Sequence, residues 1–257
     1  MGSTAAQTRR ESRPTGGIPS PFAATERIRA VLFDLDGTPY VQSRMRAAMA
    51  AELLMDAACH PITSRRRLRA LSAYRNSQEA IRVQRQGRVG ADDQIAIAAE
   101  RSGVSPREMV SLVEEWMLSR PLKYLPFCRA RGLERLLDFL SASNVKMGVL
   151  SDYPPAGKLK ALGVERFFSV VLCSTDPDVG AFKPDPRGFL TACRRWNLSA
   201  REVVMVGDRS DVDAAGAAAA GMPCVLIGKA PRSTTDVADL LVLDSLERLH
   251  RVLDAHR

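Results

Sequence analysis

Apolar and polar positions along the chain follow two regimes. The first strong signal is the run Ala30-Val-Leu-Phe33, which stops at Asp34, Asp36 and Gly37. A short apolar run ending in acids and glycine predicts a buried strand that opens into a loop. Residues 41–125 then change character. Met45, Met49, Leu53 and Leu54, and later Met109, Leu112, Val113, Trp116 and Met117, recur at spacings of three and four. That period belongs to helices, and strand signals are nearly absent. Ser105-Pro106-Arg107-Glu108 adds a capping Ser, a Pro at the first helical position and a Glu at the third, a strong helix start.

After Pro126 short apolar runs alternate with helical stretches. Strands are predicted at Val145–Leu150, Phe168–Cys173, Glu202–Val206 and Pro223–Ile227, with a last short one at Leu240–Leu243. Helices are predicted near Leu133–Ala142, Lys158–Leu162, Pro186–Trp196, Val212–Ala220 and Leu246–Leu253. Buried strands separated by helices imply an α/β fold, a three-layer Rossmann-like core around a parallel sheet. The expected organisation is therefore a core built from residues 29–40 and 126–257, with an all-helical segment, 41–125, inserted after the first strand. Residues 1–28, rich in Ser, Thr, Gly, Pro and Arg and without apolar periodicity, are expected to form a disordered basic tail, because burial cannot offset their ordering entropy.

Composition narrows this picture. A 257-residue chain with 46% hydrophobic and 26% charged residues is an ordinary globular protein, and no stretch approaches the roughly 20 apolar residues of a membrane span. Five cysteines without a C-x-x-C pair suit a reducing cytoplasm. The net charge of +8 suggests nucleic acid until it is located. Residues 1–29 contribute +3 and residues 41–125 contribute +5, whereas the remainder holds eighteen charges of each sign. The segment carrying the candidate chemistry is neutral. With only Tyr74, Trp116 and Tyr124 as aromatics in the basic insert and no recognised binding motif, nucleic acid is not expected as a partner.

Polar residues cluster where the predicted strands end, the edge at which open α/β sheets bind ligands. Asp34 and Asp36 lie two apart after the first strand, so strand alternation projects them to the same side. Gly37 and Thr38 follow, a tight turn and a hydroxyl that suit an anion site. Ser151 closes the second strand, where its hydroxyl can meet a phosphate oxygen or simply cap a helix. Lys183, held extended before Pro184, can act as a point charge on phosphate, or stand in solvent. Gly207-Asp208-Arg-Ser-Asp211-Val-Asp213 offers hard oxygen ligands of the kind magnesium takes, although Asp211 and Asp213 also suit the start of a helix. Two acids, a hydroxyl, a cation and an acid cluster on four strand ends together describe a phosphoryl-transfer site.

These residues resemble the haloacid dehalogenase superfamily of hydrolases over about residues 30–245, in its phosphatase branch. Asp34-Leu-Asp36-Gly-Thr38 is similar to the family's first motif, Ser151 to the second and Lys183 with Pro184 to the third. The stretch from Gly207-Asp208 through Asp213-Ala-Ala-Gly216 to Ala220-Gly221-Met222 is similar to the fourth. The resemblance implies that Asp34 is the nucleophile of an aspartyl-phosphate, and that Asp36 is the general acid and base. It implies phosphate binding by Ser151, Lys183 and Thr38. Magnesium would be held by Asp34, the backbone carbonyl of Asp36 and Asp208, with Asp213 more remote or acting through water. Residues 41–125 would form a cap that covers the site and selects the leaving group. Arg44 and Arg46 are the cap residues nearest the catalytic loop, and the run Ser64-Arg-Arg-Arg-Leu-Arg69 is a further basic stretch. Pro39 departs from the family, which usually has an apolar residue there, and it removes a backbone donor from the turn.

Asp36 separates branches of the superfamily, since a halide leaving group needs no proton and an alkoxide does. The expected activity is magnesium-dependent hydrolysis of a small phosphorylated metabolite. A sugar phosphomutase on the same site and a catalytically silent binding protein are the alternatives.

Overall fold

The computed structural model describes residues 28–84, 90–228 and 239–255, so the basic tail expected at 1–28 lies, but for Ile28, outside the described residues. Six strands make one parallel sheet in the order β3-β2-β1-β4-β5-β6. They are β1 (Ala30–Phe33), β2 (Lys146–Ser151), β3 (Val170–Cys173), β4 (Val203–Gly207), β5 (Cys224–Ile227) and β6 (Leu240–Leu243). Every strand expected from the sequence is present: β1 and β6 have the expected bounds, β2, β4 and β5 start one residue later and β3 two, and β2 and β4 run one residue further.

The four residues of β1 are all buried because each face of the sheet carries its own core. Val31 and Phe33 join Met147, Val149, Val204 and Val206 on one face. There they meet the helices α6 (Leu133–Ala142), α7 (Ala156–Leu162) and α10 (Leu246–Ala255). Ala30 and Leu32 turn to the other face with Leu150, Met205 and Phe189. That face is covered by α8 (Arg187–Trp196) and α9 (Ala215–Ala219). Alternation within a doubly covered strand thus converts a continuous apolar run into two half-cores. Burying each such side chain contributes about 1.5–3 kcal/mol, which is why this run tolerates no polar residue.

Between β1 and β2 the chain is helical: α1 (Gln42–Cys59), α2 (Pro61–Gln84), α3 (Ala91–Ser102), α4 (Pro106–Val113) and α5 (Leu125–Cys128). A π-helical turn at Glu114–Ser119 and a 3-10 turn at Arg120–Tyr124 link the last two. This insert has its own small core of Ala70, Tyr74, Ala98, Ala99, Val104, Met109 and Val113. Ser105 caps α4 as its spacing predicts, accepting from the Glu108 amide at 3.2 Å.

The two chain segments joining insert to sheet pair with each other. Tyr40 bridges Arg129 antiparallel, the Val41 amide donates to Cys128 at 2.8 Å and the Ala130 amide to Pro39 at 2.9 Å. Pro39 enters this ladder through its carbonyl alone, so its missing N–H costs no bond there.

Candidate active site

β1, β2 and β4 are neighbours in register, Phe33 lying level with Val149 and Val206, so their carboxyl ends open at one place. Asp34 sits at the centre, buried, with its amide still donating to Val206 at 2.8 Å. Gly37 then turns the chain at φ 120°. A Cβ there would overlap the Asp208 carboxylate, and one on Gly207 would overlap that of Asp213. Both glycines are required by close approach, and Gly37 by its positive φ as well.

Lys183 is the hub of the site. It is buried, 2% exposed, and its Nζ donates to Asp34 Oδ1 at 2.5 Å and to Asp213 Oδ1 at 2.8 Å. Burial opposes its charge, but Asp213, Asp34 and Asp152 outweigh that and push its pKa up, so it is a fixed cation. The solvent-exposed alternative for this residue does not hold. Asp213 rides on a π-helical turn, Ser210–Ala214, that precedes α9. Its Oδ2 accepts the amides of Asp208 at 3.2 Å and Arg209 at 3.1 Å. It therefore serves the helix start and the site together, whereas Asp211 pairs at 2.6 Å with Arg209.

Asp34, Asp208 and Asp213 bring ligand oxygens within 4.8 Å of one another. Asp34 Oδ2 and Asp208 Oδ1 are buried without a hydrogen-bond partner, an arrangement that is costly unless something else meets them. Burial raises Asp34 to about 8 against the pull of Lys183, with Asp213 and Asp36 pushing the same way. Burial and Asp213 raise Asp208 to about 6. Orphaned hard oxygens and like charges crowded together fit a small divalent cation. The two oxygens of Asp213 are already engaged, so Asp34 and Asp208 are the direct ligands the donor set favours.

Asp36 stands outside this cluster. It lines the same cavity as Asp34, as alternation predicts, yet takes different partners because the strand has ended at Phe33. Its Oδ1 accepts from Lys158 Nζ at 2.5 Å and from the Tyr40 hydroxyl. Burial alone would raise its carboxyl, but the charge and hydrogen bond of Lys158 and the bond from Tyr40 hold it below the usual range. Thr38 is buried with its hydroxyl unpartnered. Ser151 is fully buried, and its Oγ accepts the Tyr153 amide at 3.2 Å. It caps no helix, since α7 begins after Pro155.

The helical insert closes the site. A cavity of about 340 Å³ lies between it and the sheet edge, lined by Asp34, Asp36, Lys183 and Asp208 below and by residues of α1 and α2 above. Arg46 lines this cavity and Arg44 does not. The basic run 65–69 is absent from its lining. Within that run Arg66 pairs with Glu108 at 2.6 Å, and Arg67 pairs with Asp56 and stacks 4.6 Å over Trp116. Among the described residues three polar contacts tie α2 to the core: Arg82 to Asp152, the Tyr153 hydroxyl to Gln78 Oε1 at 2.7 Å, and Arg209 to Glu79 at 3.6 Å. Asp152 in turn accepts from Ser174 Oγ at 2.6 Å and the Lys183 amide at 3.3 Å.

Lys158, Tyr40, Asp152, Arg82, Gln78 and Tyr153 are site residues that sequence reasoning missed. Asp152 and Tyr153 adjoin Ser151 and were within reach of the same argument. Arg82 is 70 residues from its partner, and Lys158 carries no mark beyond its place at a helix start.

Among the described residues all five cysteines are free, and no helix is long and apolar enough to cross a membrane. Comparison with known proteins adds four findings. A family model described as a haloacid dehalogenase-like hydrolase matches residues 28–221. The chain is 29% identical over 244 residues to a glyceraldehyde 3-phosphate phosphatase of Methanopyrus kandleri, covering 90% of this chain and 97% of the relative. It is 29% identical over 217 residues to a phosphoglycolate phosphatase of Shigella dysenteriae, covering 78% and 81%. Among solved structures it resembles a 2-haloacid dehalogenase from Pseudomonas syringae, with 26% identity, a TM-score of 0.58 and coverage of 90% of this chain and all of that one.

Proposed function

The chain belongs to the haloacid dehalogenase-like hydrolase family, and from that premise we propose that it is a magnesium-dependent phosphatase acting on a small phosphate monoester through an aspartyl-phosphate at Asp34. The observation that carries this reading is Asp36, a second carboxylate two residues past the nucleophile and lining the same cavity. A dehalogenating site has no use for it, because halide leaves without a proton.

Asp34 attacks phosphorus and the ester P–O bond breaks. The departing alkoxide takes a proton from Asp36. Asp36 then accepts a proton from water, whose oxygen attacks the same phosphorus and releases phosphate, restoring the Asp34 carboxylate. Lys183, bonded to Asp34 Oδ1, holds the nucleophile in place and offsets the repulsion between carboxylate and phosphate dianion. Lys158 and Tyr40 keep Asp36 ionised in the free site, the form the second step uses. A bound phosphate dianion favours proton uptake on Asp36 and so prepares the first step. Ser151 and Thr38 supply hydroxyls for the phosphoryl oxygens. Asp34, the Asp36 carbonyl and Asp208, with Asp213 behind, would hold magnesium, which would supply charge neutralisation for the transferring phosphoryl.

The insert, residues 41–125, acts as the cap. It lies over Asp34 and leaves space on the scale of a metabolite, ordinary ligand pockets being about 300–1,000 Å³. The relatives' names point the same way, since glyceraldehyde 3-phosphate and phosphoglycolate are small phosphate monoesters. A cytoplasmic setting fits the free thiols.

Purified protein is expected to release phosphate from p-nitrophenyl phosphate and a panel of metabolite phosphates with magnesium and not with chelator, and Asp34→Asn is expected to abolish it. Equal inactivity of wild type and variant across the panel would favour a silent binding protein.

A further inference from the structure

Helix α2 presents Leu71, Arg75, Gln78 and Arg82 at spacings of four, three and four, and all four line the active-site cavity. Such spacing places them on one helix face. Two of them are engaged with the core, Gln78 with the Tyr153 hydroxyl and Arg82 with Asp152. These contacts fix the stripe over the loop that follows β2. Arg75, one turn before Gln78, is therefore held over the site by its neighbours while its own guanidinium has no partner among the described residues.

The charges around the cavity show why that matters. Lys183 is taken by Asp34 and Asp213, and Lys158 by Asp36. Arg82 is taken by Asp152 and Glu79, and Arg209 by Asp211 and Glu79. Among the described residues, Arg75 and Arg46 are the cavity-lining cations that have no carboxylate partner. On the acidic side only Asp208 lacks a cation, and it belongs to the metal cluster. Without these two arginines the lining holds four cations against six carboxylates, a deficit of two charges that lies in the metal cluster and its neighbours, so Arg46 and Arg75 are the cations left without a carboxylate of their own.

We propose that the substrate carries a second anionic group, of the carboxylate type, and that Arg75 is the specificity-determining residue that receives it, with Arg46 the second uncommitted cation of the same cavity. The inference rests on the phosphatase reading and adds the chemistry of the leaving group. A guanidinium presents a planar fork that matches a carboxylate in two parallel hydrogen bonds. The usual role of an exposed arginine is to solvate a helix face. Arg75 differs in that it lines the active-site cavity and shares its stripe with two anchored residues. The apolar wall formed by Met49, Leu53 and Leu71 suits a short carbon chain between the two anionic ends.

The test uses two matched phosphate monoesters, one of a short hydroxy acid and one of the corresponding hydroxyamide, with wild type, Arg75→Gln, Arg75→Lys and Asp34→Asn. Wild type is expected to favour the acid by at least tenfold in kcat/KM. Arg75→Gln should bring that ratio near one, chiefly through KM for the acid, and Arg75→Lys should restore part of it. Wild type turning over both esters with equal kcat/KM, or Arg75→Gln keeping the preference, overturns this inference and leaves the phosphatase reading standing. Failure to turn over either ester, or p-nitrophenyl phosphate, with magnesium overturns both. Because Arg75 is exposed, its variants are expected to melt with wild type, which a thermal scan checks.

Discussion

Replacing Lys183 by Met keeps an unbranched side chain, one atom shorter, and removes its charge. In the structure that charge is 3% exposed and stands 2.5 Å from one buried carboxylate and 2.8 Å from another. At an effective dielectric constant of about 20, each contact represents roughly 6 kcal/mol of gross attraction. Most of that is offset by desolvation, and deleting one partner of a buried pair costs about 3–5 kcal/mol net. For a chain of this size each kcal/mol moves Tm by about 2–4 °C, so metal-free Lys183→Met should melt roughly 6–20 °C below wild type. The deficit has a direction in pH. Asp34 is raised to about 8 even with Lys183 present, and removing the cation raises it further. With its carboxyl above 8, Asp34 in the variant takes up a proton and sheds the uncompensated charge as pH falls toward 8, so the deficit is largest above pH 8 and nearly level from pH 8 to 5. Added magnesium should narrow it above pH 8 by meeting the same charge. The assay is a melt of both proteins in chelator at pH 5, at pH 8 and above pH 8, then with magnesium. A deficit above pH 8 worth less than about 1 kcal/mol, or one that grows on acidification, would refute the picture of Lys183 as the charge that holds the site together.

Other consequences are testable in the same protein. In the metal-free wild type, Asp34 and Asp208 bind protons more tightly than in the unfolded chain, being raised to about 8 and about 6. Stability is therefore expected to fall as pH rises from about 4 to 8, and the gain in Tm on adding magnesium should be larger at pH 8 than at pH 5. A pH-independent gain would contradict this. Gly37→Ala places a methyl group in the Asp208 carboxylate at a φ of 120°; calorimetry should show magnesium affinity reduced tenfold or more, and phosphatase assays a matching loss. Arg82→Met strands Asp152, which also holds the Lys183 amide, and is expected to cost about 3–5 kcal/mol and to lower kcat/KM at least tenfold. Unchanged kinetics and melting would mean that α2 does not position this loop.

Local physics wrote much of the molecule into its sequence. The run Ala30–Phe33 has to be a doubly buried strand, because four apolar residues cannot be left in water. Ser105-Pro106 has to begin a helix, because the cap and the fixed φ act within a few residues. Asp34, Lys183 and Asp208 could be named because a parallel sheet brings all its strand ends to one edge, so the register of β1 beside β2 and β4 turns sequence motifs into neighbours. The pairing of particular charges could not be read that way. Lys158 meeting Asp36, Arg82 meeting Asp152 and Asp213 sharing Lys183 depend on which face of each helix packs inward and on how deeply each group is buried. Arg44 and Arg46 are two residues apart on α1, a helix of 3.6 residues per turn, so the two side chains leave it in different directions; composition cannot distinguish them, and only the docking of the insert puts Arg46 on the cavity and Arg44 off it. Sequence alone determined the strands, the helical insert and the set of reactive groups, because those follow from burial and chain geometry over short distances. The tertiary structure decided which charges pair with one another and which cavity arginines are left without a carboxylate, because that depends on contacts between residues far apart along the chain.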